Sequence, residues 1–325
     1  MAEKRVPDFL VVGHQKCGTT ALHLMLRSHP QIFVPEVKEP RYFAFDMRSR
    51  FGAKEAPGRP LTLDGYLSLF DAARAEQRIG EVSPQYLRSL LAAERIAEVA
   101  PDVRLIAILR EPASYLRSWH LQMVASNVET QTDFRKAIAL EDARSKGKRI
   151  PRNCHQPGAL LYSQHVRYVE QLRRYHARFS PENLLVLIYD DFRDDNDACM
   201  RRVLQFLGVD DTVPVPAVQT RPVRAVRAGA LHRLADAART ARRNPQGGSA
   251  LGRTLNALTP DALRSDAFRS HWRRLVYSSP APPDQQLMLE LRRRFEPEVH
   301  ALSEYLGRDL VTLWGYDDGQ PAADQ

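Results

Sequence analysis

Residues 8–22, Asp-Phe-Leu-Val-Val-Gly-His-Gln-Lys-Cys-Gly-Thr-Thr-Ala-Leu, pass from an apolar run through a Lys-x-Gly-Thr-Thr turn into a helix-forming stretch. Phe9, Leu10, Val11 and Val12 predict a short buried strand, and Gly13 permits a sharp turn. Thr19 and Thr20 open a helix whose first backbone amides have no acceptor within the helix and whose positive end faces the same way. Such a junction is an anion site, and phosphate is the anion it fits. Lys16 precedes Gly18, whereas an ATP-binding P-loop sets its lysine after the second glycine. The loop is therefore expected to hold phosphate outside the usual nucleoside-triphosphate pattern.

The same reasoning extends along the chain. Leu105-Ile106-Ala107-Ile108-Leu109 and Leu184-Leu185-Val186-Leu187-Ile188 are continuously apolar, as parallel strands covered on both faces are. A shorter strand is predicted over 78–82. Helices are expected from Pro112, over 162–179 and over 192–207. A last one, over 284–306, carries a core-facing stripe of Leu287, Leu291, Phe295, Val299 and Leu302. Alternating strands and helices predict an α/β fold with a central parallel sheet and ligands at the carboxyl ends of its strands. With no internal repeat, the 325 residues read as one domain carrying insertions. Residues 46–75 and 126–158 look like excursions that reach substrate. The stretch 213–275 is rich in Arg, Ala and Pro in its first part, with a basic helix expected over 230–243 and a break at Gly247 and Gly248.

The longest apolar runs fall far below the roughly 18 residues a membrane span needs. No apolar signal segment follows the charged first residues, so a soluble, cytoplasmic protein is expected. Cys17, Cys154 and Cys199 are too few and too widely spaced for a disulfide framework or a four-ligand zinc site, and each is expected as a free thiol. The formal charge of +8 favours an acidic partner without choosing between nucleic acid, anionic lipid and a small polyphosphate.

Two separated motifs together resemble the sulfotransferases that use 3′-phosphoadenosine 5′-phosphosulfate (PAPS), namely the carbohydrate sulfotransferases of animals and their bacterial relatives. The loop Gly13-His14-Gln15-Lys16-Cys17-Gly18-Thr19-Thr20 is similar to that family's 5′-phosphosulfate loop. Leu109-Arg110-Glu111-Pro112-Ala113, with Ser118 eight residues after Arg110, is similar to its 3′-phosphate strand and helix. The ending, Phe295-Glu296-Pro297 through Leu306-Gly307-Arg308-Asp309-Leu310 to Trp314, resembles the family as well.

The resemblance implies a three-layer α/β/α sandwich with a P-loop-like loop. It also implies PAPS as co-substrate without a metal, and an acceptor hydroxyl on a glycan, glycolipid or secondary metabolite. By the same likeness Gln15, Lys16, Cys17, Gly18, Thr19, Thr20 and Ala21 hold the 5′ end of the donor, Arg110 and Ser118 hold its 3′-phosphate, and Lys16 steadies the leaving group. Pro35-Glu36-Val37-Lys38-Glu39-Pro40-Arg41-Tyr42-Phe43 resembles the segment that carries the catalytic glutamate, which makes Glu39 the expected base. His120 is the rival base, because imidazole titrates near neutrality. Gly80 to Leu87 resembles the acceptor segment, so Glu81, Ser83 and Tyr86 are expected to contact acceptor. There the family's lysine is replaced by Val82. The family's Lys-Gly-Arg loop near the last helix is replaced by Tyr277-Ser278-Ser279-Pro280.

Two other readings stay open on the residues alone. A P-loop-type nucleoside or small-molecule phosphotransferase would need a Gly-Lys-Ser/Thr loop and a carboxylate for magnesium, and the loop lacks that order. A basic nucleic-acid-binding protein would use the arginines from Arg221 to Arg243, but no recognition module accompanies them. No nucleic-acid partner is expected.

Overall fold

The apolar runs of the sequence form a single parallel sheet. The computed structural model describes residues 4–47, 60–216, 218, 225–226 and 277–317. In it β1 (Phe9–Gly13), β2 (Ile32–Phe33), β3 (Arg78–Val82), β4 (Arg104–Leu109) and β5 (Leu184–Ile188) lie in the order β2-β3-β1-β4-β5. Every neighbouring pair is parallel, with Phe9 opposite Gly80 on one side of β1 and opposite Arg104 on the other. All five residues of β1 are buried, and so is β4 beyond Arg104, which explains their unbroken apolar sequence. β5 is equally apolar, yet it is an edge strand with Leu185 and Val186 only half-buried. Apolar continuity identified the strand without fixing its rank in the sheet.

In chain order the helices are α1 (Thr19–Ser28), α2 (Leu63–Leu67), α3 (Ala92–Val99), α4 (Pro112–Ala125), α5 (Phe134–Ala139), α6 (Glu141–Ser145), α7 (Tyr162–His165), α8 (Tyr168–His176), α9 (Tyr189–Asp194), α10 (Asn196–Leu207), α11 (Gln285–Leu306) and α12 (Leu310–Leu313). A parallel sheet with flanking helices is the α/β sandwich expected. β6 (Ala225–Val226) and β7 (Tyr277–Ser278) pair separately as an antiparallel ribbon. Among the described residues no helix is long and apolar enough to cross a membrane.

The chain divides into two compact units. One comprises residues 1–116, 155–221 and 285–325 and contains the parallel sheet; the other comprises residues 117–154 and 222–284. The second unit takes in most of the excursion expected over 126–158, which is folded there as α5 and α6. Within it Arg144 and Glu129 form a fully buried ion pair at 2.7 Å, and Gln131 N–H donates to the same Glu129 at 2.8 Å. The expected basic helix over 230–243, the Gly247–Gly248 break and residues 48–59 of the first excursion lie outside the described residues.

Two expected helices are divided. The stretch 162–179 becomes α7 and α8, because the amide of Val169 in the first turn of α8 donates to Glu298 Oε1 of α11 at 2.9 Å. That cap comes from far along the chain, so local sequence could not announce it. The helix expected from Phe192 starts instead at Asn196, where Asp195 caps the amide of Ala198 at 2.8 Å. Phe192 belongs to α9. The stripe of α11 is buried as expected.

From β1 the chain runs outward to β2, returns at β3 and then crosses β1 to reach β4. The order therefore reverses beside β1, and the carboxyl ends of β1 and β4 flank the crevice where ligands of open α/β sheets bind.

Candidate functional site

The loop after β1 fills one side of that crevice. Gly18 adopts φ +83° just before α1, and a Cβ there would lie 2.9 Å from the Phe192 ring, so both backbone and space require glycine. Gly13 ends β1 and meets a different limit. A Cβ there would lie 2.6 Å from Leu87, so Gly13 serves a close approach and not the turn expected of it. The first backbone bond of α1 runs from Leu22 N–H to Gly18 O, leaving the amides of Thr19, Thr20 and Ala21 directed out of the helix start. No side chain caps this end and no acidic residue lies in its first turn. Under the loop His14 is fully buried, with Nε2–H donating to Gln171 Oε1 at 2.7 Å and its ring edge-on to Tyr115 and Tyr168. Burial lowers His14 to about 3, which keeps it neutral.

Gln15 is only 9% exposed, and neither its amide oxygen nor its nitrogen has a hydrogen-bond partner. A buried amide left so is costly, which marks Gln15 as a candidate ligand contact beside the start of α1. Lys16 is half-buried. Its proton affinity is lowered first by burial and then by Arg110, with Cys17 opposing and Lys38 adding to the shift. Lys38 donates from Nζ to Thr20 Oγ1 at 2.7 Å, which places it at the opening of α1. Three cations brought together repel one another, and a phosphate or sulfate among them removes that repulsion. Cys17 is buried and its thiol is pushed up to about 12, chiefly by burial, so it stays protonated. Cys17, Cys154 and Cys199 are all free thiols, as expected.

Arg110, just past the end of β4, joins the other side of the crevice to the loop. Its Nη1 donates to Lys16 O at 3.3 Å, Nε and Nη2 donate to Ser114 Oγ, and the guanidinium lies 4.6 Å from the Tyr189 ring centre. Glu111 does not pair with it. That carboxylate caps α4 through the amides of Ala113 and Ser114 and accepts from Tyr316 OH at 2.6 Å. In the second unit Ser118 is buried and its Oγ has no partner. His120, also there, donates from Nε2 to Gln131 O at 2.9 Å and stacks on Phe134, and burial lowers its proton affinity.

Glu39 is part-buried, with 20% of its side chain exposed. Its Oε2 receives both Nε and Nη2 of Arg41. Lys16, Glu39 and Arg41 hold φ of 64°, 55° and 57°, a left-handed backbone that L residues adopt only where surrounding contacts impose it. Glu36 and Lys38 tie this loop to α1 through Arg27 and Thr20. Glu81, Ser83 and Tyr86 were expected as acceptor contacts, but all three are buried, so they stand behind the Glu39 loop. Arg41 N–H donates to Ser83 Oγ at 3.0 Å and Phe43 N–H to Tyr86 OH at 3.4 Å. Lys38, Arg41, Ser114 and Tyr189 were not foreseen. Only Lys38 and Arg41, which flank Glu39 within the motif, carried a signal in the sequence.

A family model described as the sulfotransferase family matches residues 7–213, from just before β1 to just beyond α10. The chain belongs to the sulfotransferase family. Among its relatives, the human bifunctional heparan sulfate N-deacetylase/N-sulfotransferase 3 is 29% identical over 63% of this chain and 22% of its own length. Mouse carbohydrate sulfotransferase 15 is 26% identical over 63% of this chain and 44% of its own. The chain thus spans less than half the length of these relatives. A sulfotransferase crystal structure from Alicyclobacillus acidocaldarius is similar over 96% of this chain and 99% of that one, at a TM-score of 0.66 and 25% identity.

Proposed function

We propose that the protein moves a sulfuryl group from PAPS to an acceptor hydroxyl, leaving adenosine 3′,5′-bisphosphate. The observation that carries this reading is the contact of Arg110 with the carbonyl of Lys16. It joins two motifs 94 residues apart at one crevice, with an unpartnered Gln15 and an uncapped helix start beside them. The amides from Cys17 to Ala21 and the Gln15 amide are assigned to the 5′-phosphosulfate, and Arg110 to the 3′-phosphate.

Sulfuryl transfer is an in-line displacement. The acceptor oxygen bonds to sulfur while the bond from sulfur to the 5′-phosphate oxygen breaks, and that oxygen leaves with the electron pair. Lys16 neutralises the charge growing there. Glu39 takes the hydroxyl proton as the forming bond makes it acidic. The pair with Arg41 holds that carboxylate in place.

The relatives named for heparan sulfate and carbohydrate support a glycan among the acceptor classes, whereas a hydroxyl as the reacting group, on a glycan, glycolipid or secondary metabolite, is part of the proposal. Val82, 1% exposed, stands where the resembling segment carries lysine. An acceptor whose anionic groups need that cation is disfavoured, so the favoured acceptor is uncharged at the reacting end.

Incubation with radiolabelled PAPS and candidate acceptors tests the reading. Turnover is expected in the wild type, with loss in Lys16→Ala and Glu39→Gln. A Glu39→Gln enzyme at full rate beside an inactive His120→Ala enzyme would move the base to His120. Ser118→Ala tests whether its hydroxyl shares the 3′-phosphate. Calorimetry separates the phosphotransferase reading, since adenosine 3′,5′-bisphosphate should bind without metal and ATP with magnesium should not compete.

A further inference from the structure

Glu81 is the residue before the last in β3, opposite Leu10 of β1, and only 1% exposed. Neither carboxyl oxygen makes a hydrogen bond of ordinary geometry, nor does the Tyr66 hydroxyl, although the hydroxyls of Ser83, Tyr86 and Tyr66 lie near enough to act on the carboxyl. The groups that face Glu81 are Ser83 and Tyr86 from the turn after β3, Tyr66 from α2, Tyr175 from α8 and, across the loop, Glu39. Among the described residues no cation pairs with it. An isolated ionised carboxylate in such surroundings is far costlier than a neutral acid. Burial accordingly raises its pKa to about 7, with the Glu39 charge acting in the same direction and the Ser83, Tyr86 and Tyr66 hydroxyls opposing.

Two of those hydroxyls are the acceptors for the Glu39 loop. Ser83 Oγ receives the amide of Arg41 and Tyr86 OH receives that of Phe43, which pin the backbone on the far side of Glu39 from Lys38. A neutral carboxylic acid has one oxygen that donates and one that accepts, so it can serve two hydroxyls at once and fix where their lone pairs point. An ionised one would add a second negative charge behind Glu39, where an anionic sulfuryl donor has to approach.

We propose that Glu81 is a positioning residue for sulfuryl transfer: as an uncharged acid it orients the Ser83 and Tyr86 hydroxyls that hold the Glu39 loop, and activity falls as this acid ionises. The inference rests on the reading of Glu39 as the base.

The test compares wild type, Glu81→Gln and Glu81→Ala for kcat, KM and bisphosphate binding across the pH range on either side of neutrality. The wild-type kcat should fall as pH rises through about 7. Glu81→Gln, a permanent neutral mimic, should keep the acid-side kcat and lose that fall. Glu81→Ala should lose kcat by roughly 10- to 100-fold through misplacement of the loop, with binding of adenosine 3′,5′-bisphosphate unchanged. In the same variant the amides of Arg41 and Phe43 should exchange faster with deuterium.

A Glu81→Gln enzyme as poor as Glu81→Ala, or one that keeps the wild-type fall, overturns the proposal. Should Glu81→Ala not fold, the comparison of wild type with Glu81→Gln decides alone. Isotope-edited infrared spectra read the proton without turnover. A protonated carboxyl band that is present on the acid side of neutrality, fades above it and is missing in Glu81→Gln supports the proposal, and its absence from the wild type overturns it. Normal turnover by Glu39→Gln would instead remove the base assignment on which the inference rests.

Discussion

Lys16, Glu39 and Arg41 each hold a left-handed backbone that costs an L residue roughly 1–2 kcal/mol. Concentrating that cost at one site makes sense where side-chain aim matters more than stability. Removing the Lys16 charge should lower turnover by about 3–4 kcal/mol of transition-state stabilisation, measured as a fall of roughly 100- to 1000-fold in kcat. Gly18→Ala sets a Cβ against Phe192 in a conformation alanine avoids, so calorimetry should show bisphosphate binding lost.

Glu81 supplies a stability test. The folded protein keeps its proton up to about pH 7 whereas the unfolded chain releases it near 4.5. Stability from this group is therefore full below 4.5, is lost progressively as pH rises to about 7 and changes no further above. The interval corresponds to about 3 kcal/mol. Denaturant melts of Glu81→Gln against wild type should show the variant gaining across that window and levelling off beyond it.

The elements that hold the site are themselves held by contacts from far along the chain. Glu298 of α11 caps α8, Trp314 Nε1–H donates to Asp190 Oδ2 in α9 at 2.9 Å, and Arg308 grips Asp191 through both oxygens. These contacts differ in weight. The Arg308–Asp191 pair is 36% and 29% exposed, so water screens it and Arg308→Ala should cost no more than about 1 kcal/mol. Trp314 is 2% exposed, and Trp314→Ala should cost roughly 3–5 kcal/mol in chemical denaturation. A ranking the other way would mean that charge, not burial, docks this end of the chain. Strands β1, β3, β4 and β5 and the α11 stripe were legible because periodicity and apolar continuity are local properties, whereas the two-residue β2 is too short to show either. The split of 162–179 into α7 and α8 was not, because its cause sits at residue 298.

At the scale of the whole molecule, the strand order decides which loops can share a ligand. The reversal beside β1 brings the loop after β1 and the end of β4 together, and membership of the sulfotransferase family agrees with that placement. Adenosine 3′,5′-bisphosphate at about 100 times its Kd should raise the unfolding free energy by roughly 2.7 kcal/mol, with or without chelator. A thermal shift seen with magnesium ATP alone would refute the donor assignment. By itself the sequence determined the α/β class and marked the Lys16 loop as a candidate anion site, because those follow from residue types at short spacing, while the role proposed for Arg110 came from the resemblance of its motif. Only the tertiary structure decided that Arg110 reaches the Lys16 carbonyl, that β5 is an edge and that Glu81 is buried beside the Ser83 and Tyr86 hydroxyls that hold the Glu39 loop. Burial and contact between segments far apart in the chain are set by how the strands order and pack, and no local pattern of residues encodes them.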